Sequence, residues 1–257
     1  MPRNKVDRHA VPTANADPIR LELRCHRCLG RSLNVCRPLD DAGLVELLGL
    51  GAVVYRREGE LLFRAGDRQG PFFKITKGVV AVSSSLHDGR RQVVALRVPG
   101  DVVGYLAKSG KYTFEGEALT DVEACSFDRR RFDKLVADIP ALAAAVVEAL
   151  SHALTQAGHG LTAIGQLKAT ERLANFLAEF CALYEQRQML DGPLTLPMRR
   201  SEIADYLGLA AATVSRALAK LKKRNVVGRS KDGHIIILNP KMLQAIVIAM
   251  AAEAQLV

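Results

Sequence analysis

The stretch Arg199-Arg200-Ser201-Glu202-Ile203-Ala204-Asp205-Tyr206-Leu207-Gly208-Leu209-Ala210-Ala211-Ala212-Thr213-Val214-Ser215-Arg216-Ala217-Leu218 reads as two short helices joined by a sharp turn. Ile203, Ala204 and Leu207 form the apolar side of the first helix. Val214, Leu218 and Leu221 hold the second against it. Gly208 sits at the turn, where glycine tolerates a positive φ. This is helix-turn-helix grammar, and the second helix leaves Ala212, Thr213, Ser215 and Arg216 near its outward N-terminal half. Arg199, Arg200, Arg216, Lys220, Lys222, Lys223, Arg224, Arg229 and Lys231 surround the motif, opposed only by Glu202 and Asp205. Such a basic surface implies phosphate contacts on double-stranded DNA. Val226–Arg229 and His234–Leu238, around Lys231-Asp232-Gly233, read as the strand pair of a wing.

Upstream of this reader the chain predicts two helices. One runs from Thr170 to about Gln186 with Leu173, Phe176, Leu177, Phe180 and Tyr184 on its apolar face. The other, longer, runs from about Pro140 to Gln166. Along it Val146, Leu150, Ala153, Ala157, Gly160 and Ile164 recur at alternating spacings of four and three. That is a heptad-like seam with small residues in its middle, the pattern of a helix that pairs with its own copy. Packing on the chain's own barrel is the alternative. Asp191-Gly192-Pro193 reads as a linker into the reader.

From Gly51 to Phe127 the pattern is strands broken by turns. Ala52–Arg56, Leu61–Arg64, Phe72–Thr76, Val79–Ser83, Gln92–Val98 and Glu123–Phe127 are the runs, with glycine-bearing turns such as Lys77-Gly78 and Pro99-Gly100-Asp101 between them. No helical crossover interrupts them, so an antiparallel roll is expected rather than a parallel sheet. The fold class is therefore α+β: an N-terminal β-roll, a long dimerisation helix and a C-terminal winged helix-turn-helix. The expected organisation is a disordered arm over 1–20, a cysteine segment with sensor roll over 21–133, the dimer helix over 134–168, and the DNA-binding domain over 169–257.

Cys25, Cys28 and Cys36 form Cys-x2-Cys-x7-Cys just before a helix candidate, Asp40 to Leu48, and Cys125 follows in the last strand of the roll. The net charge of +9 over 257 residues favours a polyanionic partner. No run of 18 uncharged apolar residues is present, and Met1 to Ala16 lacks the apolar core of a signal peptide. A cytoplasmic protein without a membrane partner is expected. In that compartment clustered cysteines are better read as metal ligands or redox centres than as structural disulfides. Cys181, among Phe176, Phe180 and Tyr184, reads as a buried small apolar residue. His152 and His159 read as surface histidines.

The chain resembles the CRP/FNR superfamily of transcription regulators over nearly its whole length. The likeness rests on the element order and on Gly59-Glu60 to Asp67, Phe73-Lys74-Ile75-Thr76-Lys77-Gly78, Pro99-Gly100-Asp101-Val102-Val103-Gly104 and Glu171-Arg172-Leu173-Ala174-Asn175-Phe176-Leu177. The cysteines resemble the FNR-like branch, which implies a [4Fe–4S] cluster on Cys25, Cys28, Cys36 and Cys125, oxygen sensing, and DNA binding as a homodimer. It also implies contact with RNA polymerase, around His87 to Arg91, and an operator like TTGAT…ATCAA.

Two departures from the superfamily matter. Where the cyclic-nucleotide branch carries an arginine for the phosphate, this chain reads Gly104-Tyr105-Leu106-Ala107-Lys108-Ser109-Gly110, with Glu115 and Glu117 after it, so no cyclic nucleotide is expected. Where the FNR-like recognition helix carries a glutamate before Ser-Arg, this chain has Ala212, which leaves the half-site open.

Other readings of the thiols stay open: a zinc site using Cys125 or His26 as fourth ligand, a thiol–disulfide switch, or a non-regulatory iron–sulfur electron carrier. No Gly-rich phosphate loop, nucleophile elbow or His-Glu-x-x-His motif points to an enzyme.

Overall fold

The computed structural model describes residues 25–26, 28–105, 107–108, 110–187, 189 and 193–254. The expected arm over 1–20, and Asp191 and Gly192 of the linker, lie outside the described residues.

A short 3-10 turn at Asn34–Cys36 leads into α1, Asp41–Leu48, whose N-terminus is capped by the Asp40 carboxylate accepting from the Gly43 amide at 2.8 Å. The roll then runs β1 (Gly51–Arg56), β2 (Leu61–Phe63), β3 (Phe72–Lys77), β4 (Val80–Ser85), β5 (Arg91–Arg97), β6 (Val102–Val103), β7 (Ala107–Lys108), β8 (Lys111–Tyr112), β9 (Glu115–Ala118) and β10 (Val122–Phe127). One sheet has the order β1-β10-β3-β6 and another β2-β9-β4-β5, with antiparallel neighbours wherever the register is defined. The six sequence-read strands are present with ends shifted by up to two residues. β6 to β9 escaped the reading because runs of two to four residues carry too little alternation. The tight turn before β4 requires glycine: at Gly78 φ is +86°, and a Cβ would stand 2.3 Å from the Asp121 carbonyl oxygen.

Asp128 caps α2 (Arg129–Asp138) by accepting from the Arg131 amide at 2.9 Å. Ile139 is extended, as residues before proline tend to be, and Pro140 opens α3, Pro140–Gln166. Then follow α4 (Ala169–Gln186), α5 (Arg200–Leu207), α6 (Ala211–Lys223), β11 (Val227–Arg229), β12 (Ile235–Ile237) and α7 (Pro240–Ala254). The architecture is thus the α+β arrangement expected: roll, long helix, winged helix-turn-helix. α7 was not foreseen.

The chain divides into two compact units. One holds the described residues up to Val80 together with Arg97–Ser151, the other Ala81–Leu96 with His152 onward. In the first, Val35, Cys36, Leu39, Leu44 and Leu47 share a core with Phe72, Phe127, Phe132, Leu135 and Leu142. The cysteine segment, the roll and the start of α3 therefore bury one another. In the second, the Phe176 ring of α4 lies 4.9 Å from that of Tyr206 in α5. Ile203, Leu207, Val214, Leu218 and Leu221 are buried, as the apolar spacing requires.

Candidate metal centre and nucleic-acid interface

The strand register fixes the first site. On β10, Cys125 lies opposite Val53 of β1 on one side and Lys74 of β3 on the other. Cys36 is buried in the core that the cysteine segment shares with the roll, and Cys25 and Cys125 pack against that same core. All four sequence-predicted thiols are free, with Cys36 buried and Cys25, Cys28 and Cys125 partly so. They sense one another: burial, then Cys36, Cys28 and Cys25, push the Cys125 thiol up to about 12. Burial, then Cys36 and Cys28, raise Cys25 as well. Among the described residues no group of three or more His, Cys, Asp or Glu side chains is placed to hold a metal ion. The chemistry of the set, four soft sulfur donors, fits a [4Fe–4S] group.

The segment between the cysteines is held by polar ties that sequence reading missed. Arg31 donates to the carbonyls of Cys36 and Leu39, both at 2.6 Å. Asn34, at φ +50°, donates to the Gly100 carbonyl. Lys74 donates to the carbonyls of Gly30, at 2.6 Å, and Leu33, at 2.9 Å. Arg37, next to Cys36, pairs through both guanidinium nitrogens with the carboxylate of Glu148 on α3. The available signal for Lys74 was a lysine within the buried run Phe72-Phe73-Lys74-Ile75; the other three carried none.

Cys181 is buried, and burial pushes its thiol up to about 11. His152 and His159 are exposed. Glu115 and Glu117 lie half-buried on β9. Leu106 and Ser109 lie outside the described residues.

The second site is the reader. Gly208 ends α5 at φ +63°, ψ +41°, and Leu209 and Ala210 carry the chain into α6. The Glu202 carboxylate accepts from the Arg199 amide at 2.6 Å and fixes the start of α5. On α6 Val214, Ala217, Leu218 and Leu221 face inward, while Ala212, Arg216 and Lys220 are exposed and Thr213 and Ser215 half-exposed. Arg216 donates to the Thr213 hydroxyl at 3.2 Å, which points its guanidinium toward the helix start. Arg199, Arg200, Lys222, Lys223, Arg224, Arg229 and Lys231 are exposed as well.

Arg172 joins α3 to this reader. It donates to the carbonyls of Ile164 at 2.6 Å, Leu167 at 2.9 Å and Leu207 at 3.2 Å. Gln92, in the β4–β5 hairpin, donates to the Tyr206 carbonyl at 3.0 Å.

Along α3 the large exposed apolar residues are Val147, Leu150, Leu154, Leu161 and Ile164, with Leu154 75% and Leu161 72% exposed. They share Leu150 and Ile164 with the seam read from sequence, and Ala157 of that seam is exposed between them. Val146 packs partly against the core of the first unit, and Ala153 and Gly160 flank the stripe.

Roll, long helix and winged reader together define a helix-turn-helix transcription regulator with a cyclic-nucleotide-binding-type sensor fold. The family described as "Cyclic nucleotide-binding domain" matches residues 53–138, and "Crp-like helix-turn-helix domain" matches 171–246. The chain belongs to the Crp/FNR family of regulators.

It is 33% identical over 225 residues to the nitrogen fixation regulation protein FixK of Bradyrhizobium diazoefficiens, covering 88% of this chain and 94% of that one. It is 31% identical over 239 residues to the transcriptional activator protein FnrL of Cereibacter sphaeroides, covering 89% and 91%. The structure of FixK2 from Bradyrhizobium japonicum superposes with a TM-score of 0.67 at 29% identity, covering 76% of this chain and 96% of that one.

Proposed function

We propose that this protein is an oxygen-responsive cytoplasmic transcription regulator. It binds a palindromic operator as a homodimer while Cys25, Cys28, Cys36 and Cys125 hold a [4Fe–4S] cluster. The observation that carries this reading is the gathering of Cys125 of β10 with Cys25 and Cys36 of the cysteine segment around one core that Leu142 of α3 also joins. The relatives, a FixK and an FnrL, are regulators by name, which favours a DNA-binding role over an enzyme or an electron carrier.

A bound cluster would supply an oxygen-sensitive iron core, and the four cysteine thiolates would hold it. The chain's own residues do the rest. With its cysteines tied to Cys125, the segment from Cys28 to Cys36 keeps Val35 and Cys36 in the core that Leu142 of α3 also joins. Arg37 stays against Glu148, the sole acid of α3. The start of α3 is thereby held, and the stripe Val147, Leu150, Leu154, Leu161 and Ile164 is presented to a second copy. Two readers at fixed spacing follow, as a palindromic half-site pair demands. Arg216 reads guanine, Ser215 and Thr213 lie beside it, and Ala212 either meets a thymine methyl or leaves its base pair unread. Arg199, Arg200 and Lys220 contact phosphates.

The test is protein purified without oxygen. A brown protein with about four irons per chain, shifting operator DNA only before exposure to air, supports the reading. A colourless, zinc-bearing protein prepared strictly without oxygen overturns it.

A further inference from the structure

Lys74 is 1% exposed, in the middle of β3, with its Cα opposite that of Cys125. An ammonium has three N–H donors. Two are taken by the carbonyls of Gly30 and Leu33, inside the loop from Cys28 to Cys36. No carboxylate pairs with it among the described residues. A buried cation without a counter-charge is costly, and a merely structural strand position would be filled more cheaply by an apolar side chain. The groups nearest to it along the fold are thiols: Cys125 faces it from β10, and the loop it ties runs between Cys28 and Cys36. The loop is also shaped to receive it. A Cβ at Gly30 would lie 3.1 Å from Lys74 Cε and 3.0 Å from Gly100 Cα, so glycine allows the close approach.

We propose that Lys74 is the internal counter-cation and positioning residue of the four-cysteine site: it fixes the loop between Cys28 and Cys36 through two carbonyls and offsets the net negative charge of the thiolate-bound cluster. This rests on the iron–sulfur reading above and adds a residue that ligates nothing. Two consequences separate it from a structural role. In the cofactor-free protein the relief of a buried cation offsets the loss of its two carbonyl bonds, so Lys74→Met should melt close to wild type. In the loaded protein the same change should weaken the cluster and lower its midpoint potential, because a nearby positive charge favours the more negative, reduced form.

The experiment compares wild type, Lys74→Met and Lys74→Gln. Melting and amide exchange over residues 29–36 are measured without cofactor. Iron content, cluster loss to a chelator without oxygen, and midpoint potential are measured after reconstitution. Lys74→Met is expected to exchange faster over 29–36, to lose its cluster roughly ten-fold faster, and to show a lower potential. Lys74→Gln, which keeps an amide donor but no charge, is expected to recover part of the exchange protection and none of the potential. Both variants loading, holding and reducing the cluster as wild type does would overturn the proposal and leave the iron–sulfur reading standing. A Lys74→Met protein that fails to fold without cofactor, or a Lys74→Gln protein with wild-type potential, overturns the counter-cation role. Wild type that takes up no iron overturns both.

Discussion

The cysteine segment and the DNA reader are built on opposite principles. Between Cys28 and Leu39 the chain is fastened by side chains of Arg31, Asn34 and Lys74 reaching backbone carbonyls, with Val35, Cys36 and Leu39 as its apolar anchors. Each such bond nets about 0.5–1.5 kcal/mol, or about 1.5–3 where the donor is charged. Ordering the backbone costs roughly 1–2 kcal/mol per residue. The segment therefore sits near balance, and one added tether can decide its state. In the reader, Ile203, Leu207, Val214, Leu218, Leu221 and Val226 are all buried. Each contributes about 1.5–3 kcal/mol, and none depends on a ligand. On the proposed reading, the segment would be the conditional element and the reader the unconditional one, the arrangement a cofactor-biased switch needs.

The sharpest way to break this contrast is to remove the tether. Alanine at Cys25, Cys28, Cys36 or Cys125 should abolish the cluster, read as iron content and visible absorbance, while far-UV circular dichroism of the reader stays unchanged. Loss of helical signal in these variants would mean that the reader is conditional too.

Next in size is Ile164→Glu, or Leu154→Glu, which would bury paired carboxylates in the proposed seam. Both should sediment as monomers; unchanged dimers would take α3 out of the pairing.

Arg216→Ala should cost roughly 1–3 kcal/mol of discrimination at a guanine, seen in binding to an operator library, with wild-type iron content. Ala212→Glu should sharpen one position per half-site in the same library; an unchanged profile would mean that residue 212 does not face the bases.

Arg172→Leu removes three carbonyl ties, only partly buried and in part replaceable by water, and should lower the stability by about 1.5–3 kcal/mol, the worth of one charged bond, without touching iron uptake. The smallest effect is expected of Cys181→Ala: about 1 kcal/mol of stability and full cluster content.

The reader was legible because its information is local. Apolar spacing in Ile203, Ala204, Leu207, Val214 and Leu218, and a glycine where φ must be positive, specify two helices and a turn within twenty residues. The long helix was legible for the same reason, from Pro140 to Gln166. Its outward face was only half legible. Val146 and Val147 are adjacent and equally apolar, and only packing decides which meets the core.

The sequence by itself determined the order of roll, long helix and winged reader, the spacing of the cysteines and the basic character of the reader, since each follows from residue type and near-neighbour spacing. Tertiary structure alone decided that Lys74 lies across from Cys125, that Arg37 meets Glu148, and that Arg172 bridges Ile164 to Leu207. Lys74 and Cys125, Arg37 and Glu148, and Arg172 and Leu207 are tens of residues apart or more, and the Arg172 ties end on backbone carbonyls, which every residue carries. No side-chain pattern along the chain can mark which carbonyl will be used; the strand register and the helix crossings do that.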